Sequence, residues 1–379
     1  MLIIGAGPAG SAAGITLARA GLAVTLVDRA VFPRPKTCGD ALSNAAVAIV
    51  RELAGADADT LPRAEVRSAV ALLPGGARIQ RHFGDAPGWI VPRVALDAML
   101  RRAAESAGAR VIEGVRVGEL IREGGVFVGA RAADQSWRAR VVIAADGPGS
   151  VAWSALGLGK PQARGLAIAA TCYLEGVTGG EPGCSEHIFD RELACGYGWV
   201  FPAVEGRANV GVYQRSDAYH AGGVHLHRLL EDFLARHPER FATARRASPV
   251  HTWPLPLRRT PRPPPGAPGL LLAGDASRLV DPLSGEGIWQ ALRSGTIAAE
   301  VTIGALAGGG RVGWGAVSRH RARLTVEIGA TSWLKGQIQD GVRWVVDRGL
   351  DERPAVVRAL QWGYGRGLAE VSKSVGAGL

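Results

Sequence analysis

Lysine is nearly absent from this chain. Of 44 basic residues only Lys36, Lys160, Lys335 and Lys373 are lysine. With abundant Ala and Gly, that bias reflects a GC-rich genome more than selection for polyanions, although the formal charge is +10. No nucleic-acid reading motif accompanies the charge, so no nucleic-acid partner is expected. Cysteine is also sparse: Cys38, Cys172, Cys184 and Cys195 form no Cys-x-x-Cys pair and no metal-ligand spacing. That pattern excludes a metal site and structural disulfides and suits a reducing cytoplasm. Long apolar runs are missing. Leu270 to Ala273 and Ile297 to Ala299 fall far short of a membrane span. Met1-Leu2-Ile3-Ile4 lacks a basic flank and is interrupted by Gly5, so it reads as a buried strand, short of a residue or two at its front, and not as a signal peptide. There is no internal repeat and no low-complexity tail.

What is present is an ordinary globular composition, 47% hydrophobic and 21% charged over 379 residues, enough for two packed domains. Met1 to Ile4 reads as strand, Pro8 to Ala20 as helix and Leu22 to Asp28 as strand, a βαβ unit. Ala41 to Leu53 and Val94 to Ala107 read as helices. Glu65 to Phe83 alternates around Pro74-Gly75-Gly76, as a hairpin does. Arg110 to Ala145 reads as short strands. Further strands are expected at Gly196 to Phe201 and Ala208 to Val212, and a helix at Val224 to Arg236. Pro261 to Pro268 is a connector that cannot join a central sheet, and it leads into a buried strand at Gly269 to Ala273. From about Gly287 the chain is mainly helical.

Three short segments carry the chemistry. In the first, Gly5, Gly7 and Gly10, with Pro8 and Ala9 between them, follow a strand and open a helix. Gly5 permits the turn, Gly7 lets backbone approach a pyrophosphate and Gly10 lets helix pack on sheet. The helix N-terminus offers free N–H groups to phosphates. Asp28, ending the next strand before Arg29, is spaced to accept from ribose hydroxyls. Taken alone, this motif leaves NAD, NADP and FAD open. The second segment is Asp146-Gly147, behind the apolar run Val141 to Ala145. The third is Gly274-Asp275, then Asp281-Pro282-Leu283-Ser284-Gly285-Glu286-Gly287 before a helix that starts near Ile288 and runs to about Leu306.

Together and in this order, the segments resemble the flavin-dependent oxidoreductases of the para-hydroxybenzoate hydroxylase type. The resemblance implies an α/β fold in which a Rossmann-like FAD-binding domain (1–60, 93–160 and 265–310) is interleaved with an α+β, sheet-based substrate domain (61–92 and 161–264), followed by a helical cap (311–379). It implies FAD as cofactor, with Asp275 on the ribityl hydroxyls and Arg93 near the phosphates or ribityl chain. Pro282, Gly285, Gly287 and Ile288 would present a helix N-terminus to the pyrimidine edge of the flavin, where it stabilises the reduced form. Ser150 is followed by Val151-Ala152-Trp153 where the wider family has an arginine, which weakens any inference about pyridine nucleotide.

A narrower resemblance follows from Arg34-Pro35-Lys36-Thr37-Cys38-Gly39-Asp40, from Tyr197-Gly198-Trp199-Val200-Phe201-Pro202 and from Gly211. These match the geranylgeranyl reductase family. Tyr197, Trp199 and Phe201 alternate along a strand and share one face, an apolar wall that suits a prenyl chain; plain core packing explains the same spacing. The resemblance places Cys38 and Gly39 over the isoalloxazine, where the thiol donates a proton or shapes the pocket. Arg34 and Lys36 would meet a diphosphate, the FAD phosphates or solvent. It implies Cys38, Tyr197 and Trp199 as catalytic residues and Tyr197, Trp199, Phe201, Pro202 and Gly211 as substrate-binding. The expected activity is saturation of isoprenoid double bonds by hydride from reduced flavin N5. The alternatives are a flavin monooxygenase and, with Tyr197 and Phe201 departing from the Trp-x-Trp-x-Ile-Pro motif, a halogenase. One glycine fingerprint and not two leaves the electron donor open between NADPH, ferredoxin and another flavoprotein. The expected location is cytoplasmic or peripheral to the inner membrane: the basic runs Arg258 to Arg262 and Ser318 to Arg323 read as solvated surface, or as contact with an anionic membrane or a phosphorylated substrate.

Overall fold

A computed structural model describes residues 1–223 and 225–366; Val224 and the final stretch of the expected cap, 367–379, lie outside the described residues. The first layer is a five-stranded sheet in the order Leu270–Leu272, Val142–Ala144, Leu2–Ile4, Thr25–Val27, Arg110–Ile112, with every neighbouring pair parallel. Leu270–Leu272, Val142–Ala144 and Leu2–Ile4 are short and wholly apolar, as a parallel sheet covered on both faces requires. Alternation decides which face each side chain meets. Ile3, Leu26, Ile143 and Leu271 point to the helices Pro8–Arg19, Arg93–Ser106 and Ile288–Leu306. Leu2, Ile4, Val142, Ala144, Leu270 and Leu272 instead meet Leu120, Phe127 and Ala130 of a three-stranded antiparallel sheet.

The second layer is an eight-stranded, mostly antiparallel sheet. Its central strands are Leu166–Glu175, Arg207–Arg215 and Gly196–Pro202. The hairpin Ser68–Leu72 and Arg78–His82 joins it from far away in sequence by one parallel pairing, with Cys184–Ile188. One face of the sheet buries Val200, Val210 and Val212 under helix Leu226–Arg236. Gly198 makes this possible, because a Cβ there would lie 2.2 Å from the Phe233 ring. The other face carries Tyr197, Trp199, Phe201 and Tyr213 and looks towards the first layer.

A continuous helical stretch follows: Trp314–Leu324, a π-helical turn Thr325–Gly329, and Ala330–Asp347. Pro354–Arg366 comes after it. The mixed α/β class, the hairpin and the helical end agree with the sequence reading. One element differs. Ala41 to Leu53 is not helical throughout: Ala41–Leu42 pair with Gly88–Ile90, and the helix Asn44–Ala54 starts only after Ser43, whose side chain accepts from the Ala46 amide. The serine ends the strand because its oxygen satisfies an N–H the first helical turn leaves free. No described helix is long and apolar enough to cross a membrane.

Candidate active site

One cavity of about 1370 Å³ runs between the two layers, from the Gly5 loop to the last helix. It exceeds the ~300–1,000 Å³ that encloses a single drug-sized ligand, so it has room for two molecules end to end.

The first end is made by backbone. Gly5 has φ +97°, and a Cβ on it would sit 2.4 Å from the Ala145 oxygen. A Cβ on Gly10 would sit 1.8 Å from the Gly5 oxygen, so helix and strand touch through glycine alone. Gly7, by contrast, faces the cavity with only Arg34 near it, at 3.8 Å. The helix it precedes has no side-chain cap and no acid in its first turn, leaving its N–H groups for a ligand. Pro8 and Ala9 line the cavity beside it. The Asp28 carboxylate accepts from the Ala6 and Ala30 amides, both at 2.7 Å, and braces the loop with one lone pair per oxygen to spare. Arg29 lines the cavity next to it.

Asp146 and Gly147 line the same end. Asp146 accepts from the Val151 amide, while its second oxygen is buried with no hydrogen bond, and burial raises its pKa. Beyond Gly147 a Cβ would meet open space. Gly274 packs on Ala9, its ideal Cβ 3.0 Å from the Ala9 Cβ, and its amide donates to Ser294. Asp275 lines the cavity; burial raises its pKa, and Lys36 and Arg93 oppose that rise. Gly285, Gly287 and Ile288 lie at the uncapped start of helix Ile288–Leu306. Glu286 beside them keeps one buried oxygen unpartnered and is held above the usual carboxylate pKa by burial.

Cations crowd the middle. Arg93 makes a two-pronged bond to Asp97, at 2.7 and 2.8 Å, hydrogen-bonds the Cys38 thiol, and is buried. Arg34 also reaches Asp97, at 3.3 Å, and keeps a buried Nη1 without a partner. Lys36 stands 3.5 Å over the Trp253 ring. Burial, reinforced by Arg93, lowers its pKa to about 7. The Cys38 thiol is pushed up by burial and stays protonated.

The second end is made by side chains. Tyr197, Trp199 and Phe201 line the cavity, with ring centroids 6.3 and 6.1 Å apart in succession. His187 packs edge-on against Tyr197 and Phe201, and burial lowers its pKa to about 4, so the ring is neutral. Tyr197 donates to the Ser284 carbonyl and Tyr213 to the Pro282 carbonyl at 2.9 Å, which ties the sheet to the Asp281–Gly287 loop. Asp281 is fully buried and holds that loop through the Leu283 and Ser284 amides, both at 3.0 Å, and through Lys335 at 2.6 Å.

Four residues expected at the site stand behind it instead of lining it, Gly10 among them because it packs on the Gly5 carbonyl. A Cβ on Gly211 would lie 2.3 Å from the Trp199 ring, so Gly211 is the floor on which that ring rests. Pro202 ends its strand outside the lining, and Pro282 acts through its carbonyl. Gly39 does reach the wall, its ideal Cβ 3.0 Å from Phe201.

The largest omission of sequence reasoning is Asn209. It is buried, donates to the Cys38 carbonyl and to Asp40, both at 2.9 Å, and accepts from Trp199 at 3.0 Å and Thr171 at 2.7 Å. All four of its hydrogen-bonding positions are used. One side chain therefore fixes both the Cys38 loop and the Trp199 ring. Asp40 also accepts from Tyr173, holds φ +62°, and is raised by burial to about pKa 6. A polar residue between Ala208 and Val210 in an apolar strand was the available signal.

These features fit an adenine nucleotide joined through a pyrophosphate to a flavin: an open helix N-terminus, glycines that admit close approach, arginines between, orphaned carboxylate oxygens at Asp146 and Glu286, and a second uncapped helix. Comparison with known proteins agrees. The profile of the FAD binding domain matches residues 1–195. The menaquinone reductase of Mycolicibacterium smegmatis is 31% identical over 312 residues, 79% of this chain and 75% of that one. Digeranylgeranylglycerophospholipid reductase 2 of Methanothermobacter thermautotrophicus is 33% identical over 387 residues, 98% of this chain and 94% of that one. The crystal structure of a geranylgeranyl bacteriochlorophyll reductase-like protein from Thermoplasma acidophilum superposes with a TM-score of 0.79 at 27% identity, covering 91% and 90%. A flavin-dependent brominase shares the fold alone, at TM-score 0.71 and 22% identity over 98% of each chain.

Proposed function

Because the chain belongs to the geranylgeranyl reductase-like FAD-dependent oxidoreductases, we propose that it saturates carbon–carbon double bonds in an isoprenoid chain. The observation that carries this reading is the single cavity whose glycine-built end opens directly onto the wall of Tyr197, Trp199 and Phe201. Such a wall offers apolar area and no obligatory polar partner, which matches a prenyl chain.

When bound, reduced FAD supplies the hydride. The chain would hold it through Gly5, Gly7, Pro8, Ala9, Asp28 and Arg29 at the adenosine and phosphate end, with Gly10 packing the helix behind them, and through Arg93, Asp146, Gly147 and Asp275 along the middle. Cys38, Gly39, Gly274, Gly285, Gly287 and Ile288 would hold the flavin end, with Pro282 bracing their loop from behind through its carbonyl. Asp28 receives ribose hydroxyls on its spare lone pairs. The uncapped start of helix Ile288–Leu306 would stabilise negative charge on a ring bound there. Tyr197, Trp199 and Phe201 would orient the alkene and exclude water, Gly211 and Pro202 support that wall, and the Cys38 thiol would give the second carbon its proton, the thiolate left behind being stabilised by Arg93 and reprotonated from water. Orientation is the main contribution, since an isolated alkene is a poor hydride acceptor. The interleaved division of the chain into FAD-binding, substrate-binding and C-terminal regions, with the boundaries given above, belongs to this proposal. So do NADPH or a ferredoxin as electron source and a cytoplasmic or membrane-peripheral location.

The test is product mass. FAD-loaded, dithionite-reduced protein is incubated without oxygen with a menaquinone or a geranylgeranyl lipid. A mass increase of two hydrogens per event that persists after air has reoxidised any quinol to quinone supports the reading. A product that forms only when air is admitted, and gains oxygen, replaces it with monooxygenation.

A further inference from the structure

Seven large hydrophobic side chains are exposed among the described residues, and five of them, Trp314, Val326, Trp333, Leu334 and Trp344, fall within one continuous helical stretch. Trp333 is 38% exposed, Leu334 47% and Trp344 51%. Trp333 and Trp344 are eleven residues apart, about three turns, so they share one side of the helix Ala330–Asp347, with Leu334 flanking them. Lys335, Ile338 and Val342 stand roughly half a turn away from that side and line the cavity. One helix therefore separates the apolar cavity from an exposed tryptophan face.

Asp340 and Asp347 lie on the same side of the helix as the tryptophans, but across the whole helical segment the charge is one-sided. Between residues 311 and 366 there are ten Lys and Arg against five Asp and Glu, a net +5 out of the chain's +10. The acids are largely engaged: Glu327 by Arg293 and Arg323, Asp340 by Arg215 and Arg259, Asp347 by Arg343. Asp351 is fully buried. Arg348 is free for solvent and lies 4.4 Å over the Trp344 ring. Exposed tryptophan beside uncompensated arginine is the composition of a helix that lies in the interface of an anionic bilayer.

We infer that Trp333, Leu334 and Trp344 seat this helix in the headgroup region of an anionic lipid surface, with Arg348 on the phosphates. The benefit to the enzyme rests on the proposed isoprenoid reading, since a lipid-borne chain would reach the cavity past this wall without crossing water. The docking itself rests on the exposed face and the charge.

Flotation of the FAD-loaded full chain tests it. Vesicles of equal parts phosphatidylglycerol and phosphatidylcholine should carry the protein up a gradient, and pure phosphatidylcholine should not. The triple variant W333S/L334S/W344S should lose about tenfold or more in bound fraction. R348E should bind only at lower salt than the wild type. Flavin content and turnover of a detergent-dispersed isoprenoid should stay unchanged in both variants, so a failure of docking is distinguishable from a failure of the reductase reading. Absence of wild-type flotation overturns the inference. So does a triple variant that floats as well as wild type. A concentration-dependent dimer that the triple variant abolishes, without vesicle binding, assigns the face to a second copy of the chain and overturns it equally.

Discussion

At the glycine end of the cavity, Gly10 and Gly5 meet with no room for a methyl group, and the surfaces offered to a ligand are mostly backbone amides. At the aromatic end, Trp199 stands on Gly211 and is held by Asn209, which reaches it from a neighbouring strand and at the same moment grips the Cys38 loop. The first end depends on residues close in sequence and on the absence of side chains. The second depends on side chains that converge from positions 38, 40, 171, 173, 199 and 209. A local motif is tolerant of its surroundings but intolerant of any added atom. A converged network has the opposite character: its shape can be loosened in steps.

That contrast can be broken in order of severity. Gly10→Ala places a methyl on the Gly5 carbonyl. We expect a loss of about 3 kcal/mol or more and protein that purifies without flavin absorbance. Retention of full flavin would show that this end adapts after all. Asn209→Leu leaves the Cys38 carbonyl, Asp40, Trp199 and Thr171 each short of a partner, at about 3 kcal/mol in sum after relaxation. Urea unfolding measures that cost, and bound flavin should survive in the folded fraction because the glycine end is untouched.

Asp40 sharpens the comparison through pH. Burial lifts its pKa to about 6, so folding favours the protonated acid. Its contribution to stability is full below about pH 4, falls as pH rises towards 6, and is level above that. The fall is about 2–3 kcal/mol. Asp40→Asn should remove it, so the difference in unfolding free energy between pH 4 and pH 7 shrinks relative to wild type. An identical pH profile in the variant would show that Asp40 is not buried as described. The smallest effect is expected at the joint between the ends. Lys335→Met removes the charged partner of the buried Asp281 but leaves its two backbone amides, and the Lys335 side chain is 25% exposed, so water reaches the vacated position and about 2 kcal/mol is lost. The flavin spectrum should shift slightly if the Asp281–Gly287 loop moves.

The same contrast explains what could be read in advance. Gly5, Gly7, Gly10 and Asp28 were legible because their spacing encodes turn, approach and packing within one βαβ unit. The alternation of Tyr197, Trp199 and Phe201 was legible because a strand puts them on one face. Pro202 and Gly211 were assigned to substrate because they belong to the same motif, yet a motif does not say which of its members faces the ligand and which supports a neighbour. Asn209, Asp40 and Tyr173 were invisible because their meaning lies in pairings across 133 to 171 residues of chain. Ser43 was missed for a local reason: the apolar residues on either side of it blur into one helical period unless its capping role is weighed.

The account stands on the two ends acting within one cavity, and the reoxidation of reduced flavin tests that most directly. Wild-type and Trp199→Ala proteins would be reduced with dithionite under nitrogen and mixed rapidly with an isoprenoid alkene while flavin absorbance is followed. We expect the wild type to reoxidise without oxygen and the variant, with equal flavin content, to do so at least about tenfold more slowly. Flavin that stays reduced until air enters, or a variant as fast as wild type, would contradict it.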